Sequence, residues 1–224
     1  MVLPAFTGLI NEILMSDMKL NYAKLIFLFI IVISIWPLLK DPSAWIFLHN
    51  VDLVFHEAGH FILMFFGEAI HILGGTIIQL AVPITCAVAF YLRKDFYSVG
   101  IMLMWLGESV IYTSVYMGDA VKRVLPLLGG NTDGHDFYNF FSMFGILDYT
   151  DSISLITKII GYLIIFGGFV FAFLNIFDKE KEENLEDLAA IIDPEFQADL
   201  LKSKKQHELG EVGTEEDIFN KIKD

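Results

Sequence analysis

The sequence predicts an all-α polytopic membrane protein, with about five transmembrane helices, one short re-entrant or interfacial helix and an acidic soluble C-terminal tail. Three observations predict it. Hydrophobic residues make up 55% of the 224-residue chain and its mean hydropathy is +0.57, well above a soluble average. Apolar runs of about 20 residues, the length that crosses a hydrocarbon core, recur along it. After Phe177 the composition changes abruptly and acids take over.

Residues 1–19 form an N-terminal segment in which Pro4, Asn11, Glu12 and Asp17 leave no apolar core of the signal-peptide type. The first long run, Leu20–Leu39, is followed by Lys40-Asp41 and by no small-x-small cleavage site, so it reads as a retained span. Four further runs follow: Ile46–Phe66, Ile72–Leu92, Tyr97–Gly118 and Ile153–Phe177. The first and fifth are nearly pure hydrocarbon. The middle three carry Asp52, His56, Glu57, His60, Gln79, Thr85, Glu108, Ser109 and Thr113. Polar groups in consecutive spans are left unsatisfied if they face lipid, so these three spans should turn toward one another, with the first and fifth as cover.

Between the fourth and fifth runs, Asp119–Ser152 opens as a short amphipathic piece, Ala120–Leu125. It breaks at Pro126 and at Gly129-Gly130-Asn131-Thr132-Asp133-Gly134. The next apolar stretch, Phe137–Leu147, is too short to span and reads as the re-entrant or interfacial helix. Residues 178–224 hold 15 acids and 7 bases, most of the net charge of −13, and read as two short solvated helices with a frayed end. The tail is a candidate for binding a soluble partner. Basic flanks lean slightly toward a cytoplasmic tail, in an integral multi-pass protein of the cell membrane. No basic patch exists, which argues against nucleic acid as a partner. Cys86 is the only cysteine, so no intrachain disulfide forms.

The run His56-Glu57-Ala58-Gly59-His60 carries the chemistry. Residues four apart lie on one helix face, so both imidazoles can reach one Zn²⁺, with Glu57 beside it as general base on a water. Two imidazoles and a carboxylate inside an apolar stretch are costly unless a cavity and a metal compensate. Catalytic zinc usually takes three protein ligands, and Asp133, His135 and Asp136 all follow the Pro/Gly loop as candidates for the third. Residue type alone leaves all three open. Asp52 lies one turn before His56 and His49 two turns before it. A carboxylate there would fix the imidazole tautomer, although Asp52 equally suits a helix start at the membrane surface. The glycines of Gly74-Gly75-Thr76, one turn before Gln79, suit close helix packing. Glu108 reads as a structural hydrogen-bonding group, or as an alternative ligand.

Over roughly Val51–Phe141 the chain resembles the site-2 protease group of intramembrane zinc metalloproteases. His56-Glu57-Ala58-Gly59-His60 matches that group's HExxH, and Asn131, Asp133 and Gly134 match in type its later Asn…Asp-Gly element. The resemblance implies a membrane metallopeptidase domain over 20–177, with its core at roughly 46–147, and an aspartate as third ligand, with Asp133 and Asp136 both open. Gly74-Gly75-Thr76 and Gln79 are similar to the segment that lines the cleft in that group, which makes Gln79 a candidate to hydrogen-bond substrate backbone. The resemblance also implies a zinc cofactor and cleavage of membrane-spanning or membrane-edge peptide segments, with membrane proteins or peptides as substrates within the lipid bilayer. Two alternatives stand beside it: a catalytically silent membrane scaffold, and a membrane metal hydrolase acting on lipid.

Overall fold

The computed structural model describes residues 18–128, 130 and 132–179. The N-terminal segment up to residue 17, Asn131, and the tail beyond residue 179 with its two expected helices lie outside the described residues. Leu20–Asp178 forms one compact unit. Among the described residues six α-helices follow in order: α1 (Tyr22–Lys40), α2 (Leu48–Leu63), α3 (Glu68–Leu92), α4 (Phe96–Gly118), α5 (Asp136–Phe144) and α6 (Thr150–Leu174). Two three-residue strands, β1 (Met18–Leu20) and β2 (Phe177–Lys179), bracket them in sequence.

Four of these helices are long and apolar enough to cross a membrane: α1, α3, α4, and α6 with the 3₁₀ turn Leu147–Tyr149 before it. That marks the chain as a membrane protein. The expected second span holds α2, which at 16 residues extends about 24 Å, and the 3₁₀ turn that continues it, Met64–Phe66, brings the helical stretch to about 30 Å. The chain then reverses at Gly67, whose φ of +96° is glycine territory. The motif helix is thus one arm of a hairpin with α3.

Helix α4 is the centre of the bundle. Of its most apolar window 61% is buried, against 17% for α1, 28% for α3 and 22% for α6. The two covering helices expected from composition accordingly leave Phe29, Ile33, Leu163 and Phe166 on the outside. Small residues let the others approach. A Cβ on Gly59 of α2 would overlap the Gly74 carbonyl of α3, and one on Gly168 of α6 would stand 2.8 Å from the Gly100 carbonyl oxygen of α4. Two hydroxyls pin α1: Tyr97 donates to the Lys24 carbonyl at 2.7 Å, and Tyr162 to the Leu38 carbonyl at 2.9 Å. The second carbonyl belongs to the last turn of α1, where no intrahelical donor remains.

The expected amphipathic piece after α4, Ala120–Leu125, is a turn and not a continued helix: the Arg123 N–H reaches the Asp119 carbonyl at 2.7 Å and Arg123 then takes φ +51°. The Asp119 carboxylate accepts the Val124 and Leu125 backbone N–H groups at 3.0 and 2.9 Å. Capture of those donors by a side chain replaces helical hydrogen bonds. The short helix expected near residue 137 is present as α5, nine residues long. It is held inward by Phe137 and Phe141, which pack on Ala120.

Candidate metal centre

Helix α2 presents His56 and His60 one turn apart, and α5 begins at Asp136 directly opposite. Asp136 Oδ2 lies 3.0 Å from His56 Nε2 and 3.2 Å from His60 Nε2, and the two Nε2 atoms are 3.2 Å apart. Among the described residues this is the one group of three His, Cys, Asp or Glu side chains that could hold a metal ion.

The other ring nitrogens decide what the three atoms are. His60 Nδ1 lies 2.9 Å from the His71 carbonyl oxygen, which only accepts, so the ring hydrogen is on Nδ1 and the lone pair on Nε2. His56 Nδ1 donates to Gln79 Oε1 at 3.1 Å, with the same consequence. With both rings neutral, two imidazole lone pairs and a carboxylate oxygen then face one another with no hydrogen between them, an arrangement that is repulsive until a proton or a metal ion sits at its centre. Ligand atoms at 2.0–2.1 Å from a tetrahedral zinc stand about 3.3–3.4 Å apart, close to the spacing of these three. The donor set, two imidazoles and one carboxylate, leaves a fourth position open.

Glu57 is exposed, and it lines the same cavity, of about 690 Å³, as His56, His60 and Asp136. Trp45 and Tyr112 form another part of the wall, and Leu125–Leu128 a third. Gly75 of α3 lies under the His56 ring, where a Cβ would be 2.5 Å from Nε2.

The remaining candidates are distributed as follows. Asp133 is exposed and outside the group; its backbone carbonyl accepts from the Asn139 side chain at 2.9 Å. Of the two aspartates left open, Asp136 is therefore the one that reaches the histidines. His135 is buried and faces elsewhere. Its Nδ1 accepts the Tyr138 N–H at 3.2 Å as the N-cap of α5, and its Nε2 points toward Asp119, 3.5 Å away. Burial pushes the His135 ring below the ordinary imidazole range, against the pull of the Asp119 carboxylate. Asp52 turns away from the two histidines: it is fully buried and accepts from Trp105 Nε1 at 2.8 Å. The side-chain contact to His56 Nδ1 comes from Gln79 Oε1, and Gln79 also lines the cavity. The reason is tertiary, because the glycine contact brings α3 alongside α2 at that level.

Two participants were missed in the sequence. Tyr116 accepts the Asp136 N–H at 3.1 Å and so fixes the start of α5, and the His71 carbonyl orients His60. The spacing Glu108, Tyr112, Tyr116 was the available signal for the first, since it draws one polar stripe along α4. A backbone carbonyl leaves no signal in sequence. Comparisons with family models, with curated proteins and with solved structures returned no match for this chain, so its reading rests on its own geometry.

Proposed function

We propose that the chain is a zinc-dependent intramembrane endopeptidase that cleaves membrane-spanning or membrane-edge peptide segments, resident in the cell membrane with its tail in the cytoplasm. One observation carries the reading: His56, His60 and Asp136 converge on a single point in a cavity that Glu57 also lines. Those three residues would hold the ion. Bound there, zinc lowers the pKa of a water toward ~7 and polarises a carbonyl oxygen.

The chain's own residues do the rest. Glu57 takes the proton of the attacking water and passes it to the leaving amine nitrogen. Gln79 and the His71 carbonyl hold the two imidazoles in the tautomer that leaves Nε2 free. The substrate segment must be locally extended, because a helical carbonyl is occupied by its i+4 N–H. Apolar walls at Trp45 and Leu125–Leu128 suit a peptide drawn from lipid.

The test is Glu57→Gln in detergent-purified protein with a transmembrane peptide as substrate. The expected result is loss of cleavage with one zinc per chain retained, and continued turnover in that variant overturns the assignment. Wild-type cleavage of esters but not peptides would favour a lipid hydrolase, and wild type without zinc a silent scaffold.

A further inference from the structure

A second cluster of buried chemistry lies beside the cavity, on α2 and α4, and the proposed hydrolysis makes no use of it. His49, Asp52, Glu108, Ser109 and Thr113 are all at most 4% exposed. Trp105 Nε1 donates to Asp52 Oδ1 at 2.8 Å, and His49 Nε2 stands 2.9 Å from Glu108 Oε1. His49 and Asp52 lie one turn apart on α2, as Trp105 and Glu108 do on α4, so these two contacts bring the Asp52 and Glu108 carboxyls to one level of the α2–α4 seam. Yet His49 Nε2, Asp52 Oδ2, both Glu108 oxygens and the Ser109 and Thr113 hydroxyls have no aligned hydrogen-bond partner.

Two carboxylates facing each other are acceptors only, and ionised side by side in a membrane interior they repel without screening. The ion-pair partner that the structure gives Glu108 is His49, and the ring of His49 is already oriented. Its Nδ1 accepts the Ile46 N–H at 3.4 Å, which leaves the hydrogen on Nε2, the nitrogen 2.9 Å from Glu108 Oε1. A metal is not the missing partner, because the donor atoms of His49, Asp52 and Glu108 do not converge closely enough to hold one. One hydrogen between the two carboxyls resolves the conflict. Asp52 O–H then donates to Glu108, while Trp105 serves the other Asp52 oxygen. The group as a whole carries a single negative charge.

His49 and Thr113 also line the cavity that holds Glu57. The His49 ring is stacked on Tyr112 with centroids 4.1 Å apart, and Trp45 stands edge-on to it at 5.1 Å. We propose that Asp52 and Glu108 share one proton, forming a proton-binding site that exchanges with the cavity at the wall made by His49 and Thr113. The site stores a proton within reach of the chamber in which Glu57 works, and it does not depend on the reaction proposed there.

Infrared spectroscopy of detergent-purified protein at neutral pH tests it, with and without zinc and with no cleavage assay. The expected wild-type spectrum contains a protonated-carboxyl C=O band that shifts in D₂O while the protein stays folded. The band should be lost completely in Glu108→Gln and equally in Asp52→Asn, because either amide donates to the remaining carboxylate and releases the shared proton. A band that each variant merely halves would mean two independent acids and overturn the sharing. No band in wild type would overturn it too, and a band that never shifts in D₂O would overturn the link to the cavity. Both amides are near-isosteric, and if one variant fails to fold, the wild-type band and the other variant still decide. Loss of peptidase activity would leave this result untouched.

Discussion

Gly75→Ala isolates tertiary geometry from helix propensity. A Cβ at this position would lie 2.5 Å from His56 Nε2, 2.6 Å from Cδ2 and 2.7 Å from Cε1. Ordinary carbon contacts need about 3.5–4.0 Å, so the ring must retreat by roughly 1 Å. The atom closest to the intrusion is the one that faces His60 and Asp136. Forcing a methyl group into a packed site costs about 1–3 kcal/mol. Charged wholly to metal binding, that is a loss of roughly 5- to 150-fold in zinc affinity at 1.36 kcal/mol per decade. Propensity alone has the opposite sign, since alanine favours an α-helix over glycine by about 1 kcal/mol. Chelator competition for zinc in detergent, with thermal melting on the same sample, separates the two. A variant that melts at or above the wild-type temperature and binds zinc as tightly as wild type would refute the packing argument and the assigned position of His56 with it.

Three further outcomes follow from the same geometry. Asp136→Asn should weaken zinc by more than about 100-fold, while Asp133→Asn, altering an exposed side chain, should leave it within about threefold; titration of both variants against a zinc chelator reads the difference. Gln79→Leu removes the acceptor that holds the His56 tautomer and should weaken zinc by about 10- to 100-fold with little change in helicity, measured by the same competition and by circular dichroism. Gly59→Ala places a Cβ against the Gly74 carbonyl, where backbone cannot yield as a side chain can. It should lower the melting temperature more than Gly75→Ala does, so a melt unchanged from wild type would show that α2 and α3 do not meet there.

Much was legible in the sequence because it depends on local periodicity. Apolar run length marks α1, α3, α4 and α6, and i,i+4 spacing puts His56 and His60 on one face. The apolar run that holds α2 does not show where the α-helix ends, since its last turn tightens to 3₁₀ before Gly67. The turn at Ala120–Leu125 was illegible for a related reason. Asp119 captures two backbone donors, and side-chain capture of backbone competes with the helix without altering the hydrophobic pattern.

The sequence by itself determined that the chain is helical and membrane-embedded, and that a zinc-type His-Glu-x-x-His motif sits within an apolar helix. These follow from spacing within one element, where distance along the chain converts directly to distance in space. Only the tertiary structure decided that Asp136 and not Asp133 faces the histidines, that Gln79 and not Asp52 contacts His56, and that Asp52 meets Trp105 instead. Each of those choices depends on how α5 and α3 are set against α2, and on how α2 is set against α4. Glycine-to-backbone approach and the Asp119 loop fix that setting through contacts between elements far apart in the chain, which no spacing within a single helix encodes.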